Sequence, residues 1–376
     1  MIKREIYELI KNKLFKGKAV ILIGARQVGK TTLLNMFMEE YKELSLYLNC
    51  DEFDVREILR NATSSRLKAI FGNKKLILID EAQRVENIGL TIKIIVDTLS
   101  QYQVISTSSS SIGLTERVSE PLTGRKYEFV LFPISWKELV NHFGYLEANR
   151  DLENRLIYGM YPEVILKKSE QKEIIKNITQ SYLFKDVFTY KDLKKPETLE
   201  KLVKALALQI GNLVSYHEIS KLINADVETV QRYIDILEKS FVIFRLPSFQ
   251  RNMRNELSKS RKIYFYDLGV RNAIINNFLP LNRRTDIGGM WENFLIVERM
   301  KNNFNSNLSF NYYFWRTHQK QEINFVEERE DELFAFEFSF NPNSKKKIPK
   351  TFIENYPEAK TSIVDKLNFN SFLGME

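Results

Sequence analysis

Residues Gly24 to Thr31 read GARQVGKT, which satisfies the spacing G-x-x-x-x-G-K-[ST]. Gly24 and Gly29 let the backbone N–H groups of Ala25, Arg26, Gln27 and Val28 curl around a phosphate, and the helix N-terminus that follows adds positive potential. Lys30 reaches the outer phosphates, the Thr31 hydroxyl holds magnesium, and Thr32 opens the helical pattern. A second group lies in LILIDEAQ, residues 76–83, where an apolar run ends in Asp80 and Glu81. A carboxylate at such a strand end positions the metal, and an acid beside it orients and polarises an attacking water. The pairing favours hydrolysis of a nucleotide over a kinase reaction.

Two further features belong to the same chemistry. The run Gln103 to Thr107 ends in Ser108 to Ser111, whose hydroxyls either sense a terminal phosphate or form a plain polar turn. Arg125, in PLTGRKYEF, either stabilises charge on the transferred phosphoryl group, in cis or from a neighbouring subunit, or is a solvated residue at a strand edge. Cys50 reads as core, and as the single cysteine it excludes an intrachain disulfide, while His142, His217 and His318 are too scattered for a zinc site.

The elements that must position these residues follow from hydrophobic patterning. Apolar runs at Ala19–Ile23, Leu44–Leu48, Leu76–Ile79, Gln103–Thr107 and Tyr127–Leu131 predict buried parallel strands with helical crossovers. Residues 1–135 therefore read as one open α/β domain. Residues 136–196 read as helices broken at Gly159 and Pro162, a helical lid or spacer. Across 197–284, three helical patterns and an apolar strand, Phe241 to Leu246, predict a winged helix-turn-helix. Residues 285–376 read as a small α/β unit, with a helix from Met290 through Glu298 and strands at 312–316, 322–327 and 333–338.

Composition sets outer bounds. The 376 residues leave room for two or three domains, and 28% charged with 44% hydrophobic residues excludes a disordered or fibrous chain. No apolar run is long enough to span a bilayer, and Ile2, Ile6, Leu9 and Ile10 give the N-terminus the spacing of an amphipathic helix rather than a signal peptide, so a cytoplasmic protein is expected. The net charge of +8 favours polyanions without identifying one. Its distribution says more. The expected recognition helix, Asp226 to Ser240, carries a net −2, whereas the wing, Arg245 to Lys262, carries +5 from Arg245, Arg251, Arg254, Lys259, Arg261 and Lys262 against Glu256. The wing is therefore the place for nucleic-acid backbone contact, unless it is simply a solvated basic hairpin.

Taken in order, GARQVGKT, LILIDEAQ, the hydroxyl-rich strand end, PLTGR, LFPISWKEL and GMYPEV resemble the predicted AAA-like P-loop ATPases of archaea and bacteria that carry a C-terminal winged helix and a restriction-endonuclease-like domain, the domain of unknown function 4143. The resemblance covers nearly the whole chain. It implies the additional-strand catalytic-glutamate class of P-loop fold, ATP and magnesium as ligands, Lys30 and Thr31 on phosphate and magnesium, Asp80 on magnesium, Glu81 as catalytic acid and Arg125 in a Gly-Arg motif. Two positions depart from the family in this half: Ala25 stands where Pro is usual, and Ser108 where Gly is usual, a restriction if the backbone there needs positive φ.

The last unit resembles PD-(D/E)xK nucleases. Glu292 in MWENFL matches their helix acid, but Glu322-Ile323-Asn324-Phe325 replaces E-x-D-F and Glu337-Phe338-Ser339 replaces E-x-K, so the aspartate and the lysine are both missing. Glu322 shares a strand face with Asn324, and Lys345, Lys346 or Lys347 offers a charge from the next segment. The expectation is a magnesium-dependent ATPase that converts ATP to ADP and phosphate and couples nucleotide state to nucleic-acid or protein binding by its C-terminal half, as a monomer or an oligomer. The alternatives are an ATP-dependent nuclease and a non-hydrolysing, nucleotide-gated adaptor.

Overall fold

The five apolar runs of the N-terminal third form five parallel strands: β1 (Ala19–Ile23), β2 (Ser45–Asn49), β3 (Leu76–Asp80), β4 (Gln103–Ser108) and β5 (Lys126–Val130). The computed structural model describes residues 1–109, 122–182, 195–249 and 261–375. Two units are distinguished. Lys3–Pro133 with Lys239–Phe241 makes one, and Met1–Ile2, Ile134–Glu238 and Val242–Glu376 make the other.

In the first unit the strand order is β2-β3-β4-β1-β5, every pair parallel. Helix α1 (Ile6–Lys11) precedes the sheet, and the crossovers that parallel neighbours require are supplied by helices α2 (Lys30–Glu40), α3 (Phe53–Leu59), α4 (Ser64–Phe71) and α5 (Ile88–Thr98). Strands flanked on both sides, β1, β3 and β4, are buried along their whole length, while the edge strands β2 and β5 are partly exposed. This is why β1 and β3 are runs of small and branched apolar residues up to the Asp80 that ends β3. Ile21, Ile23, Ile77, Ile79, Ile92, Ile95 and Val104 lie in one hydrophobic cluster on the sheet. The order places β4 between β1 and β3, so their C-terminal ends lie side by side, with Ile23 opposite Ser108 and Ile79 opposite Ser106. In an open α/β sheet the crevice outside such ends is where a ligand is received.

The second unit begins with helices Trp136–Phe143, Tyr145–Tyr158, Pro162–Leu166 and Gln171–Tyr182. Helices Pro196–Leu208, Tyr216–Ile223 and Val227–Lys239 follow, with a three-stranded antiparallel sheet ordered β6-β8-β7 from β6 (Leu213–Val214), β7 (Ile243–Pro247) and β8 (Arg261–Phe265). The long helix Ile287–Asn305 then packs beside a sheet ordered β12-β11-β10-β9, made of β9 (Asn311–Arg316), β10 (Glu322–Arg329), β11 (Glu332–Phe338) and β12 (Lys360–Val364). A large hydrophobic cluster runs through this unit, from Ile134 and Trp136 through Phe244 and Tyr264 to Trp291, Phe325 and Phe372, and a smaller one gathers Phe249, Trp315, Val326 and Phe352.

Two of the sequence motifs are accounted for here. In LFPISWKEL, Ser135 Oγ accepts the Glu138 N–H at 3.1 Å while Glu138 Oε2 accepts the Ser135 N–H at 2.9 Å, a capping box that starts the helix Trp136–Phe143. In GMYPEV, Gly159 has φ 82°, and the Met160 N–H donates to Asp267 Oδ2 at 2.7 Å. A Cβ at Gly159 would lie 2.1 Å from Asp267 Oδ1. Gly144 has a similar φ of 84° with nothing within 4 Å of such a Cβ. Gly144→Ala should therefore cost only the backbone strain of an extended residue at positive φ, about 1–3 kcal/mol, whereas Gly159→Ala should cost at least about 2 kcal/mol more, since it also displaces a buried carboxylate. Denaturant melts of the two variants check the difference, and equal losses would contradict it.

Candidate functional site

The loop Gly24–Gly29 joins β1 to α2, and its shape rests on the two glycines. A Cβ at Gly24 would come 2.2 Å from the Leu131 carbonyl oxygen, so the chain passes too close to the end of β5 for any side chain. Gly29 caps α2 in the left-handed region, at φ 102°. Lys30 donates from Nζ to Gly24 O at 2.9 Å and to Ala25 O at 2.8 Å, which lays the ammonium across the loop. Ala25 and Val28 are buried, Arg26 is half-buried, and Gln27 and Thr32 are exposed. From outside the loop, Arg4 donates to Val28 O at 2.7 Å and to Phe132 O at 2.6 Å, tying the loop to the exit of β5.

Asp80 is the meeting point of the site. Its Oδ2 accepts from the Thr31 hydroxyl at 2.7 Å and from Tyr47 OH at 2.8 Å, and its Oδ1 accepts from the Thr107 hydroxyl. Burial and the Asp80 carboxylate hold the Tyr47 phenol well above its ordinary range, so it stays a donor. Glu81 follows in the left-handed region at φ 52°, its N–H bonded to Thr107 Oγ1 at 3.0 Å. Its carboxylate accepts from Gln83 Nε2 at 2.5 Å, and the same Nε2 donates to Ser109 Oγ at 2.9 Å. The structure thus brings together Lys30, Thr31, Asp80, Glu81 and the end of β4. Hydroxyl and carboxylate oxygens are the hard ligands that magnesium requires, and the glycine loop that opens α2 offers N–H groups to a phosphate chain.

Sequence reasoning missed Arg4, Tyr47 and Gln83. Gln83 lies inside the LILIDEAQ motif and was legible by position. Tyr47 and Arg4 carry no local signal, because only the strand order and the placement of the N-terminal residues bring them in. Ser108 ends β4 in extended backbone and its carbonyl accepts the Gly24 N–H at 3.3 Å, so no glycine is needed there. Ser110 and Ser111 lie outside the described residues. Cys50 is buried, and burial pushes its thiol up to about 12, as expected of a core residue.

Arg125 is a correction for the cis reading. The register pairs Ala19 with Lys126 and Ile23 with Val130, so Arg125 sits at the N-terminal edge of the sheet, about 16 Å of strand away from the phosphate loop. There its Nε donates to Asp97 Oδ1 at 2.7 Å, on α5. It cannot touch a phosphate held by its own chain.

The basic wing also needs correcting. Lys262 is only 1% exposed, Arg245 is paired with Asp235 at 2.7 Å and with Glu238, and Arg261 stacks 4.7 Å from the Tyr216 ring. The first two are spent on carboxylates and offer nothing to a nucleic-acid backbone. Arg251, Arg254 and Lys259 lie outside the described residues.

Lys262 belongs instead to a buried cluster in the second unit. Its Nζ donates to Glu292 Oε1 at 2.7 Å and to Glu322 Oε1 at 2.6 Å. Burial alone would lower the lysine pKa, but the two carboxylates raise it above its ordinary value. Glu292 also accepts from Tyr264 OH at 2.5 Å and from Asn324 Nδ2 at 2.9 Å. Of the three lysines expected to lend a charge, Lys346 is the one that does, 3.5 Å from both Glu337 Oε2 and Asn324 Oδ1. Ser339 Oγ turns away and donates to Asn341 O at 2.9 Å. Among the described residues, no group of three or more His, Cys, Asp or Glu is arranged to hold a metal ion.

Residues 16–140 match the AAA domain, 149–281 a domain of unknown function, DUF8612, and 287–371 a second, DUF4143. The chain thus carries an AAA-type, P-loop ATPase-like domain followed by a DUF4143 domain, the pairing its motifs suggested. An uncharacterised protein of Haemophilus influenzae is 23% identical over 90% of this chain and 87% of its own, and one of Methanocaldococcus jannaschii is 22% identical over 95% and 82%. Among solved structures, a Pif1 helicase from Candida albicans aligns with 70% of this chain and 63% of its own at 11% identity and a TM-score of 0.27, a level that says nothing of this chain's activity. Among the described residues no helix is long and apolar enough to cross a membrane.

One group in the second unit titrates where it can be measured. Burial pushes Glu337 from 4.5 to about 7, Lys346 opposing and Glu292 and Glu322 reinforcing. A carboxyl with a raised native pKa binds more protons folded than unfolded, so its contribution is present below pH 4.5 and is lost as pH rises toward 7. Glu337→Gln should remove that loss and gain about 1 kcal/mol or more over wild type between pH 5 and pH 8. A stability difference independent of pH would contradict the assignment.

Proposed function

We propose that this chain is a magnesium-dependent ATPase of the additional-strand catalytic-glutamate class, whose nucleotide state governs binding by its C-terminal half. The observation that carries the reading is the convergence on one carboxylate: Asp80 takes the hydroxyls of Thr31, at 2.7 Å, and of Thr107, with Glu81 as the next residue. The placement of β4 between β1 and β3 supports the class.

In this reading the N–H groups of the Gly24–Gly29 loop and the start of α2 cradle the phosphates, and Lys30 leaves the loop carbonyls for the outer phosphate oxygens. Thr31 and Asp80 hold the magnesium, which supplies positive charge to the phosphate chain. Glu81 takes a proton from the water that attacks the terminal phosphorus, as the bond to the bridging oxygen breaks and ADP departs. Gln83 and Ser109 hold the Glu81 side chain toward the end of β4, and Ser108 supplies a strand-end backbone beside the loop. Arg125 takes part only if a neighbouring copy presents it.

The boundaries that go with this reading are residues 1–135 for the ATPase, 136–196 for a helical lid, 197–284 for a winged helix and 285–376 for a nuclease-like fold kept as a binding module. Three helices with the β6-β8-β7 sheet support the winged helix, and a long helix beside a mixed four-stranded sheet supports the last unit. With Lys262 and Arg245 already engaged, contact with a nucleic acid or protein partner falls to the remainder of the wing and to other surfaces.

Glu81→Gln is the direct test of hydrolysis. It should keep ATP affinity while slowing phosphate release by at least ~100-fold, a typical loss for a missing general base. Release at the wild-type rate would remove Glu81 from its role, and a wild type that binds ATP without releasing phosphate would make the chain a nucleotide-gated adaptor.

A further inference from the structure

The nuclease-like fold would place a divalent metal between Glu292, residue 324 and Glu337, and the donors present do not suit one. A divalent cation needs oxygen lone pairs aimed at it. Glu292 instead faces three hydrogen-bond donors: the Lys262 ammonium at 2.7 Å, Tyr264 OH at 2.5 Å and Asn324 Nδ2 at 2.9 Å. The orientation of the Asn324 amide is fixed, because its Oδ1 accepts the Phe338 N–H at 2.9 Å and an N–H can only donate. Glu322 gives Oε1 to Lys262 at 2.6 Å and Oε2 to Arg316 at 2.7 Å. Each of these two carboxylates already has a cation, and an added divalent ion would have to displace a lysine that is 1% exposed.

We propose that Lys262 is a built-in cation standing where this fold would otherwise take a divalent metal, so that strand β8 closes the site to metal, and that withdrawing the lysine charge opens a Mg2+ or Mn2+ site between Glu292 and Glu322. The closing residue comes from a different sheet than Glu322 and Asn324, since β8 pairs with β6 and β7 while β10 belongs to the four-stranded sheet. The lysine missing from the expected E-x-K strand is thereby replaced in charge, but its ammonium sits on the carboxylates rather than beside a substrate. Asn324 completes the closure by turning a donor toward Glu292 where an aspartate would add a repelling charge.

Metal uptake tests this with the full chain, free of nucleotide and carrying Asp80→Asn so that the first unit contributes no metal carboxylate. Free Mn2+ is followed by its electron paramagnetic resonance signal. The Asp80→Asn protein should take up no Mn2+ at sub-millimolar concentration, and Lys262→Met in that background should create one site at least ~10-fold tighter. Glu292→Gln added to that variant should abolish the site. Equal uptake with and without Lys262, uptake that survives Glu292→Gln, or a folded Lys262→Met protein that binds no Mn2+ would overturn the proposal. If Lys262→Met does not fold, Lys262→Gln in the same background decides: it withdraws the charge while keeping a hydrogen-bond donor and should gain Mn2+ binding, and its failure to do so would equally overturn the proposal.

Discussion

Asp80 accepts hydrogen bonds from Thr31 at the start of α2, Tyr47 on β2 and Thr107 on β4, and so ties three strands and the phosphate-loop helix to one buried carboxylate. Such a carboxylate is stable only because every lone pair finds a donor; with any one donor lost, the burial of the charge becomes costly. The hub also dictates what its neighbours do. Thr107 hands its own oxygen to the Glu81 N–H, which holds Glu81 in the left-handed turn that aims its side chain at Gln83 and the end of β4. Nucleotide chemistry in this unit therefore rests on a network assembled by strand order, with the loop glycines providing clearance and Arg4 bracing the loop from behind.

The second unit balances buried carboxylates with cations from its own chain. Glu292 and Glu322 share Lys262, and Arg299 makes a two-pronged contact with Glu327 at 2.7 and 3.1 Å, a second buried pair. A buried pair is costly to break because it leaves one uncompensated charge. The helices after Ile134, the β6-β8-β7 sheet and the C-terminal sheet also contribute to one hydrophobic cluster. A movement of β8 would thus be felt at both the packing of Tyr264 and the ion pairs of Lys262.

How much of this was legible in the sequence depended on the range of the interaction. The five parallel strands were found within a residue or two, because burial on both faces leaves unbroken apolar runs. That Thr31 and Asp80 would come together was legible because a phosphate-cradling spacing follows one apolar run and a pair of acids ends another. The roles of LFPISWKEL and GMYPEV were not legible as motifs, since one is a capping box and the other a left-handed glycine packed against Asp267, over 100 residues further on. Charge counting on the wing misread Lys262 for a related reason. A lysine on a strand looks the same in sequence whether it faces solvent or, as here, two carboxylates on other elements. Arg125 directly precedes a run already read as a parallel strand, so its place at the sheet edge opposite the phosphate loop follows from strand direction.

The central claim is that the Gly24–Thr31 loop and Asp80 form a nucleotide site, and thermal melting of wild type against Lys30→Ala, with and without ATP and magnesium, tests it most directly. A ligand that binds only the folded state stabilises it by mass action, by about 2.7 kcal/mol at a hundredfold excess over Kd. The account predicts a rise in the melting temperature of wild type with ATP and magnesium and none for Lys30→Ala. An equal rise in both proteins, or none in wild type, would contradict it.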